Sequence, residues 1–485
     1  MKKTFRQTIA LVIAFMMMLS SGNYAFAAKT DKVPPTAPTN LKTASATNSS
    51  VTLIWDASTD NVGVNAYSIY KDGKYLASSM TTAYTADNLE TGSTYEFYVL
   101  AKDLKRNLSK PSKPVKVTIS SESAGSSAPS SGEQQERRVV GYYAAWSSYS
   151  GFTPDKLDAS SLTHINYAFA NIGADFKITM GYPDKDPANF KLLQGLKKAN
   201  PNLKTLISVG GWTWSGKFSD AASTEANRTA FAQGCVDFIT RYGFDGVDLD
   251  WEYPVGGGMA GNSKSPADKQ NFTLLLKNIR EKLDKQGELD NKHYLLTIAG
   301  GAGSHYIRNT EPSLFHQYLD YATVMTYDIH GAWDTYADFN APLYVSKSSP
   351  QFKWSLDSSV KAWTAAGFPA AKLVAGVPFY GYMYEIKSGA NNGLFQPFSK
   401  AKSLSYNTIS KNYLSEKGFT RYFHEQSKVP YLSNGKIFIS YDDEQSIKYK
   451  ADYIKDNGLG GAAIWELSQD PNRILLSVLS DSLLR

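Results

Sequence analysis

An α/β chain built on a (β/α)8 TIM barrel is what this sequence predicts, with a small α+β insertion in the barrel and an all-β sandwich ahead of it. Three observations carry that reading. From about Arg138 onward, eight short apolar runs alternate with stretches of helical periodicity. The connection between the seventh and eighth runs is far longer than a loop plus a helix needs. Ahead of a stretch rich in Ser, Gly, Ala and Pro, the chain instead alternates apolar and polar residues with turn signals at regular spacing.

The elements follow in chain order. Residues 1–27 read as a secretory signal peptide, with Met1-Lys2-Lys3 as the positive start, a short apolar run from Ile9 to Leu19, and Ala25-Phe26-Ala27 as a small-x-small cleavage site. The apolar run is too short to span a bilayer and no later stretch is long enough, so the mature chain is expected to be secreted, extracellular and free of membrane. Residues 34–119 hold the runs "SVTLIW", "AYSIYKDGKYLAS", "TAYTADNL" and "YEFYVLAKD". Asp72-Gly73 marks a hairpin turn, Trp55 is a core candidate, and Tyr95 after "LETGST" suits a tyrosine corner. With "WDASTDNVGVNAYSIYKDG", this module resembles a fibronectin type III domain of the kind attached to bacterial polysaccharide-degrading enzymes. The expected role is that of a spacer. Residues 120–136, which begin "SSESAGSSAPSSG", lack apolar periodicity and read as a flexible linker.

Residues 137–485 are the predicted barrel. Its runs are "VVGYYAAW", "THINYAFA", "KTLISVGG", "FDGVDLDWE", "YLLTIAGG", "YATVMTYD", "LVAGVPFY" and "GGAAIWE". A helix is expected from an N-cap at Ser265 with Pro266 in the first turn, through Phe272, Leu275, Leu276, Ile279 and Leu283, to Gly287. The Tyr-rich, Gly-punctuated residues 382–440 form the insertion, and "DEQSIKYKADYIKDNG" supplies the helix after it.

Composition narrows the function classes. The net charge of +6 is spread along the chain with no dense basic block, so nucleic acid and membrane surfaces are not expected partners. The single cysteine, Cys235, lies on a helical apolar face with Phe231, Phe238 and Ile239, and reads as a small buried hydrophobe. Six scattered histidines offer no metal-ligand spacing. No metal site, no cofactor and a monomeric state are expected. Gly256, Gly258 and Gly261 match GxGxxG but follow an acid-bearing strand, so they read as a loop; no GxSxG elbow occurs.

The chemistry concentrates in "FDGVDLDWEYP", Phe244 to Pro254. Side chains two apart share one face of a strand, so Asp248, Asp250 and Glu252 lie together and Val247, Leu249 and Trp251 lie opposite. If the apolar set faces the surrounding helices, the acids point into the barrel and climb toward its C-terminal rim, where barrel enzymes carry their chemistry. Carboxyls stacked there cannot all ionise, and an acid held protonated near neutral pH suits glycosidic bond cleavage.

This row resembles the DxxDxDxE signature of the family 18 glycoside hydrolases, the chitinases. Three further motifs resemble that family in order: "SVGGW" (Ser208 to Trp212), "MTYD" (Met325 to Asp328) and "AIWE" with Trp465. The resemblance covers the chain from Arg138 to its end and implies a retaining, substrate-assisted hydrolysis of chitin or chitooligosaccharides. It implies Glu252 as general acid and base, Asp250 as the residue that orients the sugar's acetamide, Asp248 as its partner, and Tyr327 as a hydrogen-bond donor to the N-acetyl group. Met325 and Asp328 are expected in the same subsite, with Trp465 as its floor. Trp212, Phe169, Tyr143 and Tyr380, at strand ends, are expected to stack on or bond to sugars. Asp245 and Ser208 are expected to support the row. Tyr382 departs from the pattern, since the subgroup with the insertion often has Arg after "PFYG". Two rival functions stand beside this one: an endo-β-N-acetylglucosaminidase on glycoprotein or cell-wall glycans, and a catalytically inactive chitin-binding lectin.

Overall fold

The computed structural model describes residues 31–119 and 137–485, apart from 47–49, 80, 81, 87, 88, 352, 353, 416 and 417. The expected signal peptide and linker lie outside the described residues. The described chain forms two compact units, one N-terminal and one C-terminal.

The N-terminal unit is all-β, with one sheet of three strands and one of four. Val64–Lys71 and Lys74–Ser79 pair antiparallel across Asp72 and Gly73, whose φ values of 50° and 77° are the two left-handed residues a tight hairpin needs. Trp55 and Tyr67 meet edge-to-face in the core. The Tyr95 hydroxyl accepts a 2.9 Å hydrogen bond from the Glu90 amide, the tyrosine corner expected of such a sandwich.

In the C-terminal unit eight parallel strands close on themselves: β1 (Arg138–Ala144), β2 (His164–Ile172), β3 (Lys204–Gly210), β4 (Gly246–Asp250), β5 (Leu295–Gly301), β6 (Tyr321–Met325), β7 (Leu373–Pro378) and β8 (Gly461–Trp465). Each pairs with the next, and β8 returns to β1. The predicted barrel is therefore present, with every predicted run supplying a strand.

Helices cover the barrel where the sequence is amphipathic. Glu225–Tyr242 buries Phe231, Cys235, Phe238 and Ile239, and burial pushes the Cys235 thiol up, as an inert core cysteine requires. Asp268–Asp290 buries the predicted apolar face but begins three residues after Ser265 and passes through Gly287. The reason is Asp268. Its fully buried carboxylate accepts bonds from Ser219 Oγ and from the Ser265 and Val255 amides, so it organises the loop that Ser265 would otherwise have capped. Between β7 and β8 lie a five-stranded antiparallel sheet and the helix Tyr406–Asn412. That sheet starts at Tyr380 and its last strand ends at Ser440.

Candidate active site

Strand register builds the site. β4 lies between β3 and β5, and Asp248 stands directly beside Ser208 on one side and Thr297 on the other. Both hydroxyls therefore reach its carboxylate, Ser208 Oγ to Oδ2 at 2.7 Å and Thr297 Oγ1 to Oδ1 at 2.6 Å. Tyr142, from the facing strand β1, donates a third bond to Oδ2 at 2.9 Å. Burial pushes the Asp248 carboxyl up, against the pull of these donors.

One step higher, Asp250 has Gly210 and Ala299 as its register neighbours, and neither carries a donor. Its Oδ1 is buried without a hydrogen-bond partner. Burial, then the charges of Glu252 and Asp248, drive its carboxyl well above the ordinary range. Glu252 lies past the strand end. Burial raises its carboxyl from the ordinary 4.5 to about 7; the Tyr253 hydroxyl pulls the other way and the charge of Asp328 adds to the rise. On the opposite face Val247 and Leu249 enter the core, and Trp251 stacks on Phe218 at 5.3 Å and meets Phe272 edge-on. That apolar anchorage fixes the direction of the acids.

Backbone clamps hold the end of β4. Ser215 Oγ accepts from the Glu252 amide at 2.9 Å and lies 3.0 Å from the Asp250 carbonyl, so it spans Trp251. The glycine-rich loop supplies the second clamp. Asn262 Nδ2 donates to the Glu252 carbonyl at 3.1 Å, and a Cβ at Gly258 (φ +69°) would stand 2.0 Å from that carbonyl oxygen. Gly258 is thus a close-approach glycine of the acid's own loop.

Asp250 and Glu252 open into a cavity of about 630 Å³, lined also by Phe169, Trp212, Met325, Tyr327, Asp328 and Trp465. No lysine or arginine lines it among the described residues. Trp465 stacks on Phe169 at 5.7 Å and packs against Tyr142 at 5.6 Å, making an aromatic floor. The peptide bonds after Ala168, within β2, and after Glu252 and Trp465, at the ends of β4 and β8, are cis.

Residues 138–470 match the family described as glycosyl hydrolases family 18, and residues 36–118 match the fibronectin type III domain. The chain belongs to glycosyl hydrolase family 18. Chitinase A1 of Niallia circulans is 42% identical over 407 residues, which cover 71% of this chain and 58% of that protein. The chain thus spans little more than half the length of that curated relative. Among solved structures, a family 18 N-acetylglucosaminidase from Paenibacillus barengoltzii is 43% identical with a TM-score of 0.66, covering 72% of this chain and 100% of that one. Chitinase ChiA74 from Bacillus thuringiensis is 39% identical with a TM-score of 0.69, covering 72% and 70%.

Three expected members of this family 18 site sit elsewhere. Tyr143 is fully buried on the outer side of β1, against Phe152 and Tyr167, with its hydroxyl bonded to the Phe152 carbonyl; alternation turns Tyr142 inward instead. Asp245 does not touch the row. It precedes β4 at the opposite end, ion-paired with Lys197 and Lys292; burial pushes its carboxyl up, but the two lysines and the Thr205 amide together outweigh it and hold the group below the ordinary range. Tyr380 stands behind the cavity wall, where its hydroxyl donates to Asp328 Oδ1 at 2.6 Å. Tyr382, in place of the expected Arg, donates to the same oxygen at 2.9 Å. Sequence reasoning missed Tyr142, Thr297, Ser215, Trp146, Trp214, Trp333 and Trp354. Strand parity could have found Tyr142 and Thr297; the tryptophans on loops carry no periodic signal.

Proposed function

We propose that the barrel hydrolyses β-1,4 bonds between N-acetylglucosamine units of chitin, with retained configuration, and that the chain is exported and acts as a monomer. The observation that carries this reading is the pair of buried acids at the barrel mouth: Glu252 protonated up to about 7, and Asp250 with an oxygen lacking any donor. Glu252 gives its proton to the glycosidic oxygen. The acetamide oxygen of the sugar on the non-reducing side attacks the anomeric carbon, and the leaving chain departs. Asp250 Oδ1 accepts the acetamide N–H, which orients that oxygen and stabilises the positive charge gathering on the ring it forms. Asp248, fixed by three hydroxyls, shares the Asp250 proton. Glu252, now ionised, takes a proton from water, and the water opens the cyclic intermediate.

Tyr327, half-buried beside these acids, donates to the N-acetyl group, while Met325, Asp328 and Trp465 shape the subsite. Trp212, exposed at the rim, and Phe169 stack on neighbouring sugars. Products from chitin oligosaccharides and from N-glycans, measured side by side, test the substrate class; efficient cleavage of glucose-based analogues lacking the N-acetyl group would exclude the assisted route. A second reading, N-acetylglucosaminidase action on chain ends, has support from the relative of 43% identity described as an N-acetylglucosaminidase. A product time course on long oligomers separates the two.

A further inference from the structure

Three aspartates distant in sequence meet in the N-terminal unit. Asp31 precedes the first strand, Asp60 lies in the turn after Val51–Asp56, and Asp103 closes the strand Thr94–Asp103. An oxygen of each lies within 4.8 Å of the others. Asp103 is 1% exposed; it accepts from the Lys105 and Asn107 amides and from Asn107 Nδ2. Asp31 Oδ1 accepts from the Val33 amide and Asn61 Nδ2, and Asp60 Oδ2 from the Val62 amide.

The other two oxygens decide the matter. Asp31 Oδ2 and Asp60 Oδ1 are both sealed from water and have no hydrogen-bond partner. Among the described residues, no lysine, arginine or histidine forms an ion pair with any of the three. Sealed carboxylate oxygens without a donor, pressed against two like charges, are costly unless a proton or a cation lies between them.

We propose that Asp31, Asp60 and Asp103 bind one hard divalent cation, calcium in particular, which ties the segment entering the module to its core. The donors are all oxygen, the set that suits calcium and excludes the softer transition metals. They come from three separate backbone segments and so can adjust to calcium's irregular coordination. The site stands apart from the barrel chemistry and does not rest on the function proposed above.

The test is calcium titration of the full chain by calorimetry, with hydrogen exchange read residue by residue. Wild type should bind one calcium ion. Exchange should slow around residues 31–33, 60–62 and 103–107, and chelation should reverse this. Asp60→Asn should weaken calcium binding at least about tenfold, since ligand charge sets affinity at such sites. Without metal, Asp60→Asn should be no less stable than wild type, because it removes a repelling charge; this separates a lost ligand from a damaged fold. Hydrolysis by the barrel should be unchanged. Absence of calcium binding by the wild type would overturn the proposal. So would protection of the same segments by acid and not by calcium, which would assign the cluster a shared proton.

Discussion

Asp250 ends β4 and Glu252 lies just beyond it, and their surroundings suit them to the different roles proposed. Asp248, one step lower, has hydroxyls from both neighbouring strands; Asp250 has none and keeps a bare buried oxygen. Replacing Glu252 with Gln removes the proposed proton donor while leaving shape and aromatic floor, so hydrolysis should fall by about a thousandfold or more, with oligosaccharide binding retained by calorimetry. The general-acid role proposed for Glu252 also sets a pH limit. Glu252 must be protonated at the start of the cycle, so kcat/KM should decline as pH rises through about 7. The same rise has a stability consequence. Folding favours the neutral form, so this contribution is present below the ordinary 4.5 and is lost as pH climbs through about 7. Glu252→Gln should therefore melt higher than wild type at pH 8, by an amount worth about 3 kcal/mol, and much the same at pH 4; scanning calorimetry at the two pH values decides it.

At the scale of elements, the loop after β4 works as a clamp. Gly258→Ala would drive a methyl into the Glu252 carbonyl oxygen. The loop would have to retreat and carry the acid with it, so kcat should drop by about tenfold to a hundredfold while the melting temperature changes little. The Asp245 cluster predicts the converse. Its carboxylate joins Lys197, Lys292 and the Thr205 amide far from the cavity. Asp245→Ala leaves those partners uncompensated and should cost about 3 kcal/mol of stability, with kcat unchanged at temperatures where the chain is folded. A match of sequence motif alone could not separate Asp245 from the acids of the row. Strand parity can, because position 245 shares the parity of Val247, Leu249 and Trp251, on the side away from the cavity. The same parity separates Tyr142 from Tyr143. For the helix at 268–290 the signal misled: Ser265-Pro266 is a plausible cap, yet the buried carboxylate of Asp268 took over that loop.

At the scale of the molecule, every residue lining the cavity at Asp250 and Glu252 belongs to the C-terminal unit. A chain lacking residues 1–136 should hydrolyse soluble chitooligosaccharides within about twofold of the full chain, because the acids, clamps and aromatic floor all remain. A rate ratio on a soluble hexamer tests this.

Period-two and helical patterns, turn chemistry and the alternating acids were enough to determine the barrel, the sandwich ahead of it and the face that bears Asp248, Asp250 and Glu252, because each is a local consequence of which side chains share a face. Only the folded chain decided the rest. Register put donors beside Asp248 and none beside Asp250, loop packing brought tryptophans and Gly258 to the acid, and long-range contact gathered Asp31, Asp60 and Asp103. Those arrangements depend on segments far apart in the chain, and spacing along a sequence holds no information about which distant segments come to touch.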